Sequence, residues 1–499
     1  MKSNTSDGSS HLDRRLTLFD ATMIVVGSMI GSGIFIVSAE STRLVGAPGW
    51  LLLVWALAGT MTICGALCFG ELAAMMPRAG GPYVFMTEAY GKPVGFLYGW
   101  SQFLIVQSGT IAAVAVAFAN FTGILIPGIS GSNYLIEPVV LGSYAISLST
   151  QQLLAIASIL LLTFLNTRGL RLGKWIQNSF TVTKTAALFG LVIVGLFFGW
   201  NSGGALFSSE VWDSVANGWS LERVQPAAAA LGSLAFVLVL GKAMAGPLFS
   251  QSAWDNVTFT GAEIEHPGRN LPRALIIGCA IVVGLYLLAN LSYVVTLSLP
   301  ELQNAPNGRV AAAVMEKVLG PVGVVIIAVA LMISTFGCNN GLILSGSRVS
   351  YAMAADGYLF AALAKTNRNH VPAIALFAQG LWASALVLPR TVTYQDGQAT
   401  FGNVYTQLLE YIVSVDLVSA ALSVLAVIVL RRMKPEMNRP YRTLGYPITP
   451  LIFLSLSIFV TLTLVYLAPQ TAGIGYLLAL TGIPVYFLWR RRRNSVGGS

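Results

Sequence analysis

The residues best suited to do chemistry are small and polar ones inside an apolar segment near the N-terminus. Residues 27–33 read Gly-Ser-Met-Ile-Gly-Ser-Gly, and because glycine and serine are poor helix formers, a helix is predicted to open here. The half-helix after such a break begins with unpaired N–H groups and a partial positive charge. Glycine also lets an anion approach the backbone closely. Gly31, Ser32 and Gly33 are therefore predicted to bind a carboxylate.

Helix packing is the alternative interpretation of this run, because its first two glycines form a small-xxx-small face. A second interruption favours a binding site instead. Residues 246–256 read Gly-Pro-Leu-Phe-Ser-Gln-Ser-Ala-Trp-Asp-Asn where an apolar helix should continue. Such a stretch is tolerated at membrane depth only where it lines a cavity or is buried in protein.

The two breaks also offer backbone carbonyls. Carbonyl groups near Ile30, Phe249 and Ser252, at the ends of half-helices, suit an ammonium group. A carboxylate site beside an ammonium site describes an α-amino acid, although it does not specify the side chain.

Composition places both breaks in membrane-spanning helices. The chain of 499 residues is 55% hydrophobic and 10% charged, with a mean hydropathy of +0.72, whereas soluble domains carry roughly 25% charged residues. Apolar runs that suit helices of ~20 residues recur along the chain. They predict an all-α integral membrane protein of about twelve transmembrane helices.

The breaks fall in the first and sixth predicted helices. These are equivalent positions if ten helices form two halves, and paired broken helices of this kind predict a transport site. The predicted parts are a cytoplasmic tail over 1–17, a ten-helix transport core with inverted repeats over 18–431, a cytoplasmic turn with helices 11 and 12 over 432–490, and a cytoplasmic tail over 491–499.

The net charge of +9 is explained by the membrane. Most of the 29 Lys and Arg residues fall on one side of the predicted helices, which is the positive-inside signature. This distribution removes the reason to expect a nucleic-acid partner. It predicts a multi-pass protein of the cell membrane, surrounded by lipid, with both termini in the cytoplasm.

Polar side chains inside the predicted helices need a role, because a charge at mid-helix costs about 2.5–3.5 kcal/mol on insertion scales. Lys184 either fills a cation position or ties helices together through carbonyls. Asp416 either couples transport to protons or pairs with a polar neighbour, and Asn340 either faces the cavity or bonds across helices. Asp255 is predicted to cap the half-helix after the second break. Lys242 is predicted to snorkel outwards, with a substrate contact as the alternative.

Enzyme signatures are weak. The three His residues form no paired metal motif, and no phosphate-binding loop is present. The four Cys residues lie in apolar runs, like small core residues. We therefore expect no catalytic residue, no metal and no cofactor.

Several motifs together carry a resemblance to a known family. They are Gly-Ser-Gly-Ile-Phe at 31–35, Gly-Ala-Leu-Cys-Phe-Gly-Glu-Leu at 65–72, Gly-Gly-Pro-Tyr at 80–83, Trp-Asp-Asn at 254–256, Arg-Asn-Leu-Pro at 269–272, Ser-Thr-Phe-Gly at 334–337 and Arg-Pro-Tyr at 439–441. They resemble the amino acid–polyamine–organocation superfamily, closest to its L-type amino acid transporter branch. The similarity runs from Leu18 to Leu467.

The resemblance implies the leucine-transporter-type fold, with a five-plus-five inverted repeat, broken helices 1 and 6, and alternating access. It implies that Phe249 closes over the substrate and that Lys184 stands near the sodium position, which argues against sodium coupling. The predicted substrate-binding residues are Ile30, Gly31, Ser32, Gly33, Phe249, Ser252 and Asn340. The predicted gating or coupling residues are Phe249, Lys184 and Asp416.

The predicted function is secondary transport of amino acids, as a sodium-independent exchanger of neutral L-amino acids. One alternative is a proton-coupled symporter or exchanger of cationic amino acids or polyamines, which is weakened because the sequence shows no convincing pair of acids at the pocket. A channel is the alternative from another class. No Cys lies in a predicted outer loop, so no covalent glycoprotein partner is expected.

Overall fold

Helices make up most of the computed structural model, which describes residues 16–78, 80–168, 170–200, 204–225, 232–368, 371–395 and 398–496. The helices of the first half are α1 (Leu18–Met29), α2 (Gly33–Val45), α3 (Pro48–Met75), α4 (Pro82–Tyr90), α5 (Lys92–Ser101), α6 (Gln107–Leu125), α7 (Thr150–Asn166), α8 (Leu170–Ile193) and α9 (Leu221–Val224). The remaining helices are α10 (Ser233–Ala243), α11 (Ala245–Ser250), α12 (Asn256–Phe259), α13 (Pro267–Thr296), α14 (Leu299–Gln303), α15 (Val310–Ala355), α16 (Ala373–Leu386), α17 (Val404–Met433), α18 (Ile448–Leu467), α19 (Pro469–Leu480) and α20 (Gly482–Val496).

The described helices confirm the prediction of a mostly helical protein that crosses a membrane several times. Counting α5 with α6 and α19 with α20 as single spans, eight described segments are long and apolar enough to span a bilayer, and the bent pair α1–α2 adds a ninth. Shorter apolar stretches occur at α7, at Leu234–Ser250 and at α16. Large apolar side chains such as Phe197 and Leu462 face outwards, as expected where lipid is the surrounding solvent.

The prediction of an all-α fold is wrong in one region, because the chain also forms a small antiparallel sheet. Its strands are β1 (Tyr134–Leu141), β2 (Tyr144–Ser149), β3 (Pro389–Gln395) and β4 (Gln398–Phe401), in the order β1-β2-β3-β4. The connection after α6 meets the connection after α16, with Tyr144 opposite Thr391. Each strand segment is too short to stand out in the sequence, and the pairing joins parts that are distant in the chain.

Two ends of the helix bundle serve as landmarks below. The sheet face carries β1–β4 and the N-terminal end of α17. The basic face carries the opposite end of α17, where Arg431 bonds Glu71 at 2.6 and 2.9 Å. Of the predicted tails, residues 1–15 and 497–499 lie outside the described residues, and α20 continues past residue 491 to Val496.

Close packing fixes α1 inside the bundle. A Cβ atom added at Gly278 of α13 would lie 2.6 Å from Cγ1 of Val25, so only glycine lets the two helices approach this closely. Val25, Val26 and Met29 are buried. The end of α1, where the first break begins, is therefore held deep in the protein.

Candidate functional site

The first break separates α1 from α2, which are bent by 42° relative to each other. Ile30 still donates its N–H to the Val26 carbonyl at 3.0 Å, and its ψ angle of 88° then takes the chain out of the helix. Ser32 occupies the N-cap position of α2 but forms no side-chain cap hydrogen bond. Its hydroxyl instead lies 3.0 Å from the Tyr405 hydroxyl of α17. The start of α2 therefore lacks the usual side-chain cap and keeps its affinity for an anion.

The carbonyl end of α1 is satisfied by side chains from three other helices. Lys184 of α8 donates to the Gly27 carbonyl, and Cys338 of α15 donates to the Ser28 carbonyl at 3.7 Å. Tyr286 of α13 donates to the Met29 carbonyl at 2.9 Å. A cation is stabilised at this end of a helix by the helix dipole. The position of Lys184 thus fits both interpretations of this residue, because its amine ties α8 to α1 and also lies where a cation would be stabilised at the break.

The two breaks lie side by side. A Cβ atom at Gly33 would lie 2.8 Å from Cβ and 2.9 Å from Cα of Ser250, the last residue of α11. One at Gly246 would lie 2.9 Å from Cβ of Val37 in α2. Only glycine at these positions lets α2 and α11 touch, which brings the predicted carboxylate and ammonium sites together.

The second break begins after Ser250 and extends to the single turn of α12. Gln251 bridges the gap to α3, because its side-chain oxygen accepts from Thr62 at 3.0 Å and its amide donates to the Trp55 carbonyl at 3.4 Å. The Phe249 carbonyl accepts from both the N–H and the hydroxyl of Ser252, at 3.1 and 2.7 Å. Ala253 has a φ of +64°, in the left-handed region that disfavours residues with a Cβ.

Aromatic side chains close the space between the breaks and α17. Phe249 is 6% exposed, and its ring centroid lies 6.0 Å from that of Tyr405 in a T-shaped arrangement. With the bond from Tyr405 to Ser32, these three residues form a closed layer. The prediction that Phe249 covers the site fits this position, although its role in gating stays a prediction.

A cavity lies on each side of the closed layer. The sheet-side cavity, of about 370 Å³, has Tyr405, Gly246, Lys242 and Glu410 in its lining. The basic-side cavity, of about 60 Å³, begins at Leu248 and Gln251 and follows α17 towards the basic face. The closed layer therefore separates two spaces that approach the breaks from opposite ends of the bundle.

The basic-side cavity contains an unexpected pair of acids. Asp255 from the second break and Asp416 from α17 both line it. Asp255 stands at the N-cap of α12 but makes no side-chain cap bond, so the predicted capping role is wrong. The amide of Gln102, on a π-helical turn over Gln102–Val106, interacts with the Asp416 carboxylate, as one interpretation of that residue expected.

Two other predicted residues bond within the protein. The side-chain oxygen of Asn340 accepts from the amide of Asn166 in α7 at 2.8 Å, which is the helix–helix alternative for this residue. Lys242 donates to the side-chain oxygen of Gln225 at 3.0 Å beside the sheet-side cavity. Substrate contact by Asn340 stays a prediction.

Sequence reasoning missed Tyr405 and Tyr286. Both are at most 4% exposed and use their hydroxyls at the first break. A tyrosine inside an apolar helix needs a partner for its hydroxyl, so the tyrosines of α13 and α17 were a usable signal. Their partners could not be read from the sequence, because they lie on distant segments.

Comparisons with known proteins find relatives along almost the whole chain. A family model described as "Amino acid permease" matches residues 16–489. The large neutral amino acids transporter small subunit 2 of Mus musculus is 31% identical over 489 residues, which cover 98% of this chain and 83% of the relative. The Asc-type amino acid transporter 1 of Homo sapiens is 29% identical, covering 97% and 84%. The human b(0,+)-type amino acid transporter 1 is 27% identical, covering 96% and 89%.

Proposed function

The chain belongs to the amino acid permease family, and from that premise we propose that it is a secondary transporter that exchanges neutral L-amino acids across the cell membrane without sodium. The names of its relatives support the substrate class, because they specify amino acids and, in the mouse relative, large neutral ones. The family match extends over both breaks and all the helices that surround them.

One observation carries the proposal: the closed layer of Ser32, Tyr405 and Phe249 separates two cavities at the point where the breaks meet. Alternating access requires such an arrangement, with one site reached from either side but never from both at once. The uncapped start of α2 suits the substrate carboxylate. Carbonyls at Ile30 and in the second break suit its ammonium group.

Lys184 supports independence from sodium. Lys184 is 1% exposed, and its amine bonds the Gly27 carbonyl at the end of α1. In sodium-coupled transporters with broken helices, unwound backbone carbonyls coordinate the ion. The amine of Lys184, fixed at one of these carbonyls, occupies a place where such an ion would bind.

The architecture that we propose has twelve spans. The long helices, the bent pair α1–α2 and the three shorter apolar stretches would each supply one, and the broken first and sixth spans would occupy equivalent places in a five-plus-five inverted repeat. The basic face would be cytoplasmic by the positive-inside rule, with both termini there. We propose no enzymatic activity and no covalent glycoprotein partner, since the four Cys side chains are buried in helices.

Cationic substrates are a second candidate, for one specific reason. Asp255 and Asp416 line the same cavity, so the objection that the pocket has no pair of acids no longer holds. A panel of substrates therefore has to include lysine and arginine.

The proposal is tested with purified protein in liposomes that are preloaded with mixed amino acids. Uptake of each radiolabelled amino acid is measured with and without internal amino acid, and with and without sodium. We expect uptake of neutral amino acids that requires internal amino acid and is unchanged by sodium. A sodium requirement, or rapid flux that ignores internal amino acid as in a channel, would contradict the proposal.

A further inference from the structure

Two carboxylates share the basic-side cavity, and the proposed exchange cycle uses neither. Asp255 projects from the second break and Asp416 from α17, and each is half-buried with the cavity as its open side. They lie close enough to repel each other. Among the residues that line this cavity, all within the described part of the chain, none is Lys, Arg or His.

A third group points to a ligand at the same place. Tyr98 of α5 lines the cavity, is 5% exposed, and its hydroxyl has no hydrogen-bond partner. It lies within electrostatic range of both acids. A buried hydroxyl without a partner is costly, and buried polar groups in native proteins usually have one. Three oxygen-bearing side chains therefore converge on a space that contains no fixed cation.

The size of the cavity limits which cation can bind there. Its volume of about 60 Å³ leaves room for a few water molecules, so in this closed conformation the cavity does not hold the side chain of lysine or arginine. Two carboxylates that share a site cannot easily both ionise, and one shared proton removes the conflict. A proton, carried by water, is thus the cation that fits best.

We propose that Asp255 and Asp416 share one proton, taken up from the basic face, and that this proton must be bound for the cavity to close during exchange. The inference rests on the proposed transport function for its second half only. Two ionised acids would have to be stripped of water when the cavity closes, at a large cost. With one proton between them, a single negative charge remains, and Gln102 and Tyr98 can donate hydrogen bonds to it.

Among the described residues, the other ionisable groups around the pair supply no counter-charge. Cys279 on α13 faces Asp255 and is fully buried. Glu71 on α3 is already bonded by Arg431 and by Thr443. The neighbouring helices therefore provide no positive charge for the two acids, and a bound proton would provide it.

The proton itself is tested without transport, by infrared spectroscopy of the purified full-length protein across pH. We expect the C=O stretch of a protonated carboxyl to disappear from the wild type as pH rises, and to be absent from Asp255→Asn/Asp416→Asn. Glu137→Gln, which removes an exposed carboxylate on β1, should keep the wild-type signal. A spectrum that is identical in the wild type and the double variant would overturn the proposal.

The link to transport is tested by counterflow of a neutral amino acid in liposomes between about pH 5.5 and pH 8.5. Above the midpoint of the titration, the wild-type rate should fall about tenfold per pH unit. Asp416→Asn mimics the protonated state and should flatten this dependence to about twofold or less over the same range.

Three outcomes would contradict parts of this account. A flat wild-type profile would refute the coupling while leaving exchange intact. Absence of counterflow at every pH would refute the proposed function, and the infrared result would still decide whether the proton site exists. If Asp416→Asn abolished lysine uptake and kept the wild-type pH profile for neutral exchange, the pair would bind a substrate ammonium group, and our proposal would be wrong.

Discussion

The two breaks differ in what lies beside their oxygen atoms. At the first break, fixed donors from Lys184, Cys338 and Tyr286 bond the last carbonyls of α1. At the second break, two acids face a cavity whose lining has no basic side chain. The carbonyls of the first break are therefore satisfied by fixed side chains of the protein, whereas the acids at the second break depend on a cation that can bind and leave. This difference suggests that substrate binding and regulation by a cation are divided between the two breaks.

The largest expected effect comes from separating the breaks. Gly33→Val should reduce exchange by about 100-fold or more, because a Cβ there would lie 2.9 Å from Cα of Ser250 and the helices would have to move apart. Counterflow in liposomes measures this loss. Gly284→Val is the matched control, since nothing lies within 4 Å of a Cβ at that exposed position. Normal exchange in Gly33→Val would show that contact between the breaks is unnecessary.

The second prediction removes the lysine amine at the first break. Lys184→Met should leave the buried Gly27 carbonyl without its donor, at a cost of about 1–3 kcal/mol, and lower exchange about tenfold or more. Size-exclusion profiles and counterflow distinguish a functional lysine from a structural one. If activity falls while the protein stays monodisperse, Lys184 acts in transport; if both are lost, it mainly holds helices together. Lys92→Met changes an exposed lysine at the start of α5 and should have no effect.

The third prediction concerns the uncapped start of α2. Tyr405→Phe would free the Ser32 hydroxyl to cap α2 and to compete with the substrate carboxylate, which should raise KM up to about tenfold. Ser32→Ala/Tyr405→Phe should then bind substrate better than Tyr405→Phe alone. A double variant that is no better than the single one would exclude competition. Tyr411→Phe is the matched control, because it removes a tyrosine hydroxyl from the same helix that bonds Tyr144 and not Ser32.

The smallest effect is expected from relaxing the second break. Ala253 has a φ of +64°, and the left-handed region costs an L-residue about 1–2 kcal/mol relative to glycine. Ala253→Gly should therefore raise thermal stability slightly without loss of exchange. The measurement is thermal denaturation in detergent, beside Ala216→Gly at an exposed site of ordinary φ. A fall in stability would mean that the break is not strained.

The sequence was informative wherever a local residue type decides the structure. Glycine and serine at 27–33 predicted the first break, and the isolated charge of Lys184 predicted that this side chain has a role inside the bundle. Apolar content predicted a membrane protein, and the described helices agree. These features depend on helix propensity and on the cost of charge in lipid, which act on each segment separately.

The sequence was uninformative wherever distant segments meet. The bond between Ser32 and Tyr405, the shared cavity of Asp255 and Asp416, and the pairing of β2 with β3 each join parts of the chain far apart in sequence. Asp255 illustrates the error: its position after a break suggested a local cap, whereas its side chain faces α17 across a cavity. Tertiary packing decided these contacts.

The central claim is that one closed layer is opened alternately from its two sides. Thr406→Cys places a thiol in the sheet-side cavity and Ser419→Cys places one in the basic-side cavity, while the four native Cys side chains are buried. The measurement is the rate at which a membrane-impermeant thiol reagent labels each variant as amino acid is added to one side. We expect the two labelling rates to change in opposite directions. Rates that rise together would indicate an open path through the layer and would contradict alternating access.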